Sequence, residues 1–155
     1  WLLGTREPGR EAYVAELEAL ADTLGVADAL EISPPRHDVV AAYRQSDLVL
    51  QLSAKPEAFG RTVVEALASG VPVVGWAHGG VGELLRELLP AGAVPPFDAH
   101  ALHRAARDLL AQPPAMLFDG TPVTMPALLQ RYSLAAMQAA TLDCYQTLIR
   151  ERTPQ

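Results

Sequence analysis

The chain has 155 residues, of which 50% are hydrophobic, 19% are charged and 6% are aromatic, and its net charge is −6. This length fits one domain, and the apolar fraction excludes an intrinsically disordered chain. The acidic balance argues against a nucleic-acid partner, because nucleic-acid backbones are bound by clustered Lys and Arg. No apolar run approaches the ~18 residues that a membrane span needs, and the lone Cys144 cannot form an internal disulfide, so a cytoplasmic protein is expected.

Short strand patterns alternate with helix-length patterns from the start of the chain. "WLLG" predicts a strand that ends in a glycine turn, and residues 10–24 predict a helix with Gly25 as its C-cap. A short strand at about 30–33 stops at two prolines, and Asp38 can cap the helix that follows. The first helix should bury one apolar face, formed by Tyr13, Val14, Leu17, Leu20, Ala21 and Leu24. The chain opens on Trp1 rather than Met, so we expect a piece of a longer protein.

The same alternation continues through the middle of the chain. Residues 47–53, "DLVLQLS", predict a strand buried on both faces, because their apolar character is nearly continuous. The next predicted elements are helix 61–69, strand 71–76, a Gly-rich turn, helix 81–88 and a weak strand near 93–94. This repeated βαβ pattern predicts an α/β fold with a doubly wound, Rossmann-like parallel sheet.

Helices and one linker are predicted for the last third of the chain. Asp98 caps a helix that Pro113 and Pro114 end, and residues 112–126, rich in Pro, Gly and Thr, predict a loop or linker. A last helix is predicted at about 133–150. The residues on its predicted stripe are Leu134, Met137, Thr141, Tyr145 and Leu148.

Two glutamates, Glu57 and Glu65, stand in "KPEAFGRTVVEALASGVPVV", where a loop leads from the end of a strand into a helix. Ligands of open α/β sheets bind at such strand ends, and helix N-termini favour anions. A fully helical interval would place the two carboxylates about 12 Å apart, whereas paired glycosidase carboxylates need roughly 5–9.5 Å. We therefore expect them to hold different parts of one elongated ligand, with a sugar at one end, a ribose at the other and a diphosphate between.

The segments "EAFGRTVVE" and "ALASGVPVVGWAHGGVGEL" resemble the E-x7-E signature and the Gly-Gly loop of the retaining GT-B glycosyltransferases of family 4, the group 1 glycosyltransferases. "WLLG", "DVVAAYRQSDLVLQLS" and "RYSLAAMQ" are similar to further elements of that family, in the same order. The resemblance implies that residues 1–155 form the nucleotide-sugar-binding C-terminal domain of a GT-B fold. It also implies that this domain is truncated at its N-terminus and lacks the acceptor domain.

The resemblance implies roles for individual residues. Glu57 is the expected catalytic residue, in contact with donor-sugar hydroxyls near the reacting carbon, and Glu65 is expected to bind the ribose hydroxyls. Backbone N–H groups around Phe59, Gly60 and Arg61 are expected to face the sugar and the diphosphate. The residues expected to bind the donor are Glu65, Phe59, Gly60, Arg61, Thr62, Ser33 and Arg36.

The loop from Ser33 to Arg36 is expected near the base. Tyr43 and Trp76 are expected in the core, and His78 is expected to be an exposed loop residue. The family uses no obligatory metal, and its transfer retains anomeric configuration, commonly drawn as same-face attack assisted by the leaving phosphate. The expected function is hexosyl transfer from a nucleotide sugar to a saccharide or lipid-linked acceptor in polysaccharide, lipopolysaccharide or glycolipid biosynthesis. The expected location is the cytoplasm, with peripheral association of the whole protein at the inner membrane face.

Some features depart from the family pattern. Relatives hold the diphosphate with an Arg and a Lys that precede the first strand, and this chain begins after that point, so the 155 residues alone are expected to be inactive. Ala58 stands where Gly is common, and Leu134 where Trp is common.

Two alternatives stay open: another GT-B enzyme, such as a sugar-nucleotide epimerase or a phosphorylase, and a non-catalytic α/β nucleotide-binding module, because fold alone does not give function.

Overall fold

The computed structural model describes residues 1–112 and 130–152, and it divides into two compact units, residues 1–39 and 40–155. The predicted linker, after Gln112, and its prolines Pro113 and Pro114 lie outside the described residues. Strands alternate with helices, and the strand pairs are parallel, which confirms the predicted α/β class. None of the helices in the described residues combines the length and the hydropathy that a membrane span requires.

The first unit is a βαβ arrangement. Its elements are β1 (Leu2–Leu3), α1 (Glu11–Leu24), a 3₁₀ turn (Ala27–Ala29) and β2 (Ile32–Ser33). The two strands are parallel, with Leu2 opposite Ile32 and Leu3 opposite Ser33. The parallel pairing requires the chain to cross over between the strands, and α1 lies in that crossover.

Helix α1 ends as the sequence predicts. Gly25 has φ of 67°, and the N–H of Val26 donates to the carbonyl of Ala21 at 2.9 Å, which closes the last turn. The predicted apolar face is buried only in part, because Val14 and Ala21 are buried whereas other members are exposed. The exposed members of that face are Tyr13, Leu20 and Leu24.

The second unit holds a three-stranded parallel sheet. Its elements are α2 (Val39–Arg44, beginning at the boundary between the units), β3 (Val49–Gln51), α3 (Arg61–Ala68), β4 (Val73–Trp76), α4 (Gly79–Leu88), a 3₁₀ turn (Pro90–Gly92), β5 (Ala93–Val94), α5 (Ala99–Ala111) and α6 (Leu134–Arg152). The strand order is β3-β4-β5. Val49 lies opposite Val73, and Gly75 lies opposite Ala93.

Strand β4 is the centre of the core. All of its residues are buried, which requires cover on both faces of the sheet, and Trp76 is a core residue as predicted. Helix α4 packs against the side of β4 that carries Gly75, where an added Cβ would lie 3.1 Å from Leu85. The buried side chains of α3, α4 and α5 complete this core: Val63, Ala66, Leu67, Val81, Leu84, Leu85, Leu88 and Leu109. Each fully buried aliphatic side chain contributes roughly 1.5–3 kcal/mol.

Strand β3 departs from the prediction of burial on both faces. It is an edge strand of the three-stranded sheet, and the Leu50 side chain is 51% exposed. Successive side chains of a strand point to opposite faces. Val49 and Gln51 are accordingly on the other face from Leu50 and are half-buried. An apolar composition therefore did not distinguish a central strand from an edge strand.

The remaining predictions concern the starts of α4 and α5 and the apolar stripe of α6. Helix α4 begins at Gly79, two residues before its predicted start. The N-cap of α5 is confirmed, since the Asp98 carboxylate accepts a hydrogen bond from the Ala101 N–H at 2.8 Å. Helix α6 exists as predicted, and its apolar stripe is exposed along the helix. The exposed apolar residues there include Leu134, Met137, Tyr145 and Leu148.

Candidate functional site

Three loops of the second unit follow the carboxyl ends of parallel strands. They run from 52 to 60 after β3, from 77 to 78 after β4 and from 95 to 98 after β5. Because carboxyl ends of parallel strands meet at one sheet edge, the three loops share that edge. The His78 and Phe97 rings lie 6.1 Å apart, which joins the second and third loops. This edge is where open α/β sheets bind ligands.

Glu57 lies in the first of these loops and is held by neutral hydrogen-bond donors. Its Oε1 accepts from the Ser53 hydroxyl at 2.5 Å and from the Gln51 amide Nε2 at 3.0 Å. Ser53 is also held through its backbone, because His78 Nε2 lies 3.1 Å from the Ser53 carbonyl oxygen. We call Glu57, Gln51 and Ser53 the Glu57 cluster. It presents a half-buried carboxylate without an ion pair among the described residues.

The loop that carries Glu57 packs closely on the start of α4. The N–H of Gly80 donates to the Glu57 carbonyl at 2.8 Å. A Cβ at Gly80 would lie 2.5 Å from the carbonyl oxygen of Phe59, so a larger residue would push the two segments apart. The Gly-Gly pair thus sits within the first turn of α4 and sets the distance between that helix and the Glu57 loop.

Gly60 joins this loop to α3. Its φ is 89°, a left-handed conformation that L side chains rarely adopt, and a Cβ there would meet Val81 Cγ2 at 2.9 Å. Glycine is therefore required at this position for two separate reasons. The turn places the N-terminus of α3, which begins at Arg61, directly after the Glu57 loop.

Glu65 lies on α3 in a second, different cluster. Its Oε1 accepts from Arg61 Nη2 at 2.8 Å, and its Oε2 accepts from the Tyr43 hydroxyl at 3.1 Å. Thr62, the residue after Arg61 on α3, lies close to the Tyr43 hydroxyl. Burial raises the pKa of the Tyr43 phenol above its usual value, and the hydrogen bond to Glu65 raises it further. We call Glu65, Tyr43, Arg61 and Thr62 the Glu65 cluster.

The two clusters share no residue, although their glutamates belong to one short motif. Glu57 precedes the N-terminus of α3, and Glu65 follows it by one helical turn. The Arg61–Glu65 pair is open to solvent, with side chains 82% and 34% exposed. Such a pair contributes about 0–1 kcal/mol to stability. The charge of Glu65 is thus partly compensated, whereas that of Glu57 faces only neutral donors.

The other predicted site residues divide between the units. Phe59 is 45% exposed, and its ring lies 6.0 Å from that of Tyr132. Ser33 and Arg36 belong to the first unit. There the buried Ser33 hydroxyl accepts from the Trp1 indole N–H at 2.7 Å, and the Arg36 guanidinium lies over the Trp1 ring at 5.1 Å.

The first unit also has a surface cavity of about 370 Å³. Its lining contains Arg6 and Glu18, which pair at 2.7 Å, and none of the predicted site residues. In both described segments, no group of three His, Cys, Asp or Glu side chains is placed to hold a metal ion.

Gln51 and Ser53 were not identified from the sequence. The available signal was two polar residues, two positions apart, at the end of an otherwise apolar strand pattern. That spacing places both side chains on one face in extended backbone. Tyr43 was predicted as a core residue, and it does pack against the core while its hydroxyl binds Glu65. His78 was predicted as an exposed loop residue, but it is half-buried and contacts Ser53.

Comparison with known proteins agrees with this architecture. The family "Glycosyl transferases group 1" matches residues 8–117, so the chain belongs to that family. A D-inositol 3-phosphate glycosyltransferase of Mycobacterium sp. (strain KMS) is 37% identical over 103 residues, covering 65% of this chain and 23% of the relative. The enzyme of that name from Xylanimonas cellulosilytica is 32% identical over 150 residues, covering 93% of this chain and 34% of the relative.

Two solved structures share the fold. HepE of Anabaena, crystallised in complex with UDP, has a TM-score of 0.77 and 24% identity, covering 91% of this chain and 38% of HepE. A glycosyltransferase of Rickettsia africae has a TM-score of 0.77 and 23% identity, with the same coverage. The predicted Rossmann-like half of a GT-B fold is confirmed. The chain spans between 23% and 38% of the length of these four proteins.

Proposed function

We propose that the chain is the donor-binding half of a retaining, family 4 glycosyltransferase. The whole protein would transfer a hexosyl unit from a nucleotide sugar to a saccharide or lipid-linked acceptor, in polysaccharide, lipopolysaccharide or glycolipid assembly. The observation that carries the proposal is the pair of separate carboxylate clusters around Glu57 and Glu65, on either side of the N-terminus of α3. Family membership supports the reaction class.

Glu57 is the proposed catalytic residue. Its Oε1 is occupied by Ser53 and Gln51, and its charge has only neutral neighbours in its cluster. A carboxylate in this state accepts hydrogen bonds from sugar hydroxyls strongly, because charge-assisted hydrogen bonds are about twice as strong as neutral ones. Its negative charge also stabilises the positive charge that develops on a glycosyl carbon during transfer.

The N-terminus of α3 is the proposed diphosphate site. Backbone N–H groups from Phe59 to Thr62 include the first N–H groups of the helix, which favour anions. Gly60, in its left-handed conformation, turns the chain so that the Glu57 loop leads directly into this helix N-terminus. Since backbone donors and the helix dipole supply positive potential here, donor binding in this proposal needs no metal.

Glu65 is the proposed ribose ligand. Two adjacent ribose hydroxyls match a carboxylate, which accepts at both oxygens, and the exposed Arg61 can move away when they bind. The Ser33–Arg36 loop of the first unit is proposed to lie near the base. In the transfer step, the acceptor oxygen bonds to the anomeric carbon as the bond to the diphosphate oxygen breaks, and the acceptor proton passes to the leaving phosphate on the same face.

We propose that the acceptor binds a further domain of the whole protein. The whole protein is proposed to act in the cytoplasm, at the inner membrane face. The structural neighbour HepE has been crystallised with UDP and with UDP-glucose. This supports a nucleotide sugar as the donor, with UDP-glucose as the first probe. D-inositol 3-phosphate, the compound in the names of the relatives, is the first acceptor probe.

Calorimetry on the full-length protein tests the proposal with UDP, UDP-glucose, GDP-mannose, ADP-glucose and free glucose. We expect at least one nucleotide sugar to bind, to bind equally in EDTA, and to bind far more tightly than free glucose. Product analysis by NMR should show the anomeric configuration of the donor. Absence of binding by every nucleotide would overturn the proposal, loss of binding in EDTA would overturn metal independence, and an inverted product would overturn retention.

A further inference from the structure

We propose that Gln51 and Ser53 are positioning residues, which hold one oxygen of the Glu57 carboxylate and leave the other oxygen for the donor sugar. This inference rests on the proposed function, because it assigns Glu57 to the sugar. Both groups donate to the same oxygen, Oε1 of Glu57. The Ser53 hydroxyl lies 2.5 Å from it and the Gln51 amide nitrogen 3.0 Å. The two bonds fix the plane and the rotation of a side chain that otherwise lies in a loop.

The orientation of the Gln51 amide follows from its own contacts. Its Oε1 accepts from the Ser53 backbone N–H at 3.3 Å and lies 3.1 Å from the Ser53 hydroxyl. A backbone N–H only donates, so the amide oxygen must face Ser53, and Nε2 must then face Glu57. The single hydroxyl proton of Ser53 goes to the shorter contact, which is the one with Glu57.

The support for this pair extends into the sheet. Gln51 is the last residue of β3 and pairs in register with Gly75 of the central strand β4. His78, at the start of α4, lies with Nε2 at 3.1 Å from the Ser53 carbonyl. Since a carbonyl only accepts, Nε2 of His78 carries the proton. Glu57 is thus held by Gln51 of β3 and by Ser53, which His78 contacts in turn. Its position depends on the sheet, and strands hold functional groups more precisely than loops do.

A purely structural role would look different. A carboxylate kept for stability is commonly paired with a cation, as Glu18 is with Arg6 at 2.7 Å. Within the described residues Glu57 has no ion pair, and its Oε2 accepts no hydrogen bond, whereas its Oε1 accepts from Ser53 and Gln51. The arrangement therefore orients a charge rather than neutralising it.

A double-mutant cycle on the full-length protein tests the proposal, with affinities for UDP and UDP-glucose measured by calorimetry. Ser53→Ala and Gln51→Leu should each weaken UDP-glucose about tenfold, the scale of one lost hydrogen bond to a charged group. UDP affinity should change less than about twofold, because Glu57 is assigned to the sugar alone. In a Glu57→Ala background, Ser53→Ala should add almost nothing, since its effect passes through Glu57.

Ser53→Thr keeps the hydroxyl and should restore most of the UDP-glucose affinity. Ser46→Ala is the matched control, because that half-buried hydroxyl donates to a backbone carbonyl of α2 and should leave both affinities unchanged. Equal weakening of UDP and UDP-glucose in Ser53→Ala, or additive losses in the cycle, would overturn the positioning role.

The outcomes separate this inference from the proposed function. Loss of UDP-glucose affinity in Glu57→Ala without loss in Ser53→Ala or Gln51→Leu would overturn only the positioning role. If Glu57→Ala leaves UDP-glucose affinity unchanged, or if UDP-glucose does not bind the wild-type protein, the assignment of Glu57 to a glucosyl donor falls and the positioning role falls with it.

Discussion

The Glu57 and Glu65 clusters belong to one motif but are built differently. Glu57 lies in a loop and is held by the neutral groups of Gln51 and Ser53. Glu65 lies on a helix and is held by a cation, Arg61, and a phenol, Tyr43. The first arrangement orients a charge and leaves it uncompensated, and the second shares its charge with an exposed partner.

Two carboxylates in one signature therefore need not form one acid/base pair. Their hydrogen-bond networks are separate, and the left-handed Gly60 with the start of α3 lies between them. In a motif of this kind, each carboxylate binds a different part of one elongated ligand. Substitutions at the two glutamates and their neighbours test that division.

Gly60→Ala should break both clusters at once. A left-handed L residue costs roughly 1–2 kcal/mol, and the added Cβ would meet Val81 at 2.9 Å, so we expect unfolding free energy to fall by about 2–4 kcal/mol. Urea denaturation measures it. Gly9→Ala is the matched control, because Gly9 has φ of 85° but no atom within 4 Å of an added Cβ. Equal losses in the two variants would show that the contact with Val81 is unimportant.

Glu57→Gln keeps the shape of the side chain and removes its charge. We expect turnover of the nucleotide sugar to fall about 10²-fold or more, the scale of one lost transition-state interaction. Affinity for the nucleoside diphosphate should stay nearly unchanged. Steady-state assays and calorimetry on the full-length protein measure the two quantities, with Glu16→Gln on the exposed side of α1 as the control. Full turnover would return Glu57 to a structural role.

Glu65→Ala should behave differently, because the nucleotide and the nucleotide sugar both carry the ribose that Glu65 is proposed to bind. We expect both to bind more weakly by about 1.5–3 kcal/mol. Arg61→Ala removes the partner of Glu65 but not the carboxylate, and it should change these affinities by less than about 1 kcal/mol. Calorimetry with UDP and UDP-glucose separates the cases. A loss confined to UDP-glucose would contradict the division between the two glutamates.

Tyr43→Phe should have the smallest effect, a loss of about 1 kcal/mol of stability at neutral pH from one hydrogen bond. The pKa of the Tyr43 phenol is raised by burial and by Glu65, so the protonated phenol stabilises the fold. That contribution is complete below the unfolded pKa of about 10 and is lost as pH rises through the raised folded pKa.

Urea titrations between neutral pH and pH above 10 measure this dependence. Wild-type stability should fall at alkaline pH, and Tyr43→Phe should flatten part of that fall. Tyr13→Phe is the control, since Tyr13 is exposed on α1. Tyr132, whose pKa is also raised by burial and by Glu87, contributes equally to both proteins. Identical alkaline slopes in Tyr43→Phe and wild type would contradict the Tyr43–Glu65 hydrogen bond.

Much of the fold was predictable because its signals are local. Gly25 and Asp98 act as caps through backbone contacts within a few residues, and the βαβ alternation is a matter of strand and helix periodicity. Leu50 was predicted less well. Its exposure depends on which surfaces lie next to its strand, and composition carries no direct signal of that.

Residue order alone predicts the α/β class, the family signature and the position of both glutamates relative to the start of α3. The groups that hold the two carboxylates became known from the folded structure. Ser53 and Gln51 reach Glu57 because the loop after β3 turns back on its own strand, and Tyr43 reaches Glu65 from α2, 22 residues away along the chain. Such contacts depend on side-chain directions and loop closure, which residue order encodes only through the folded whole.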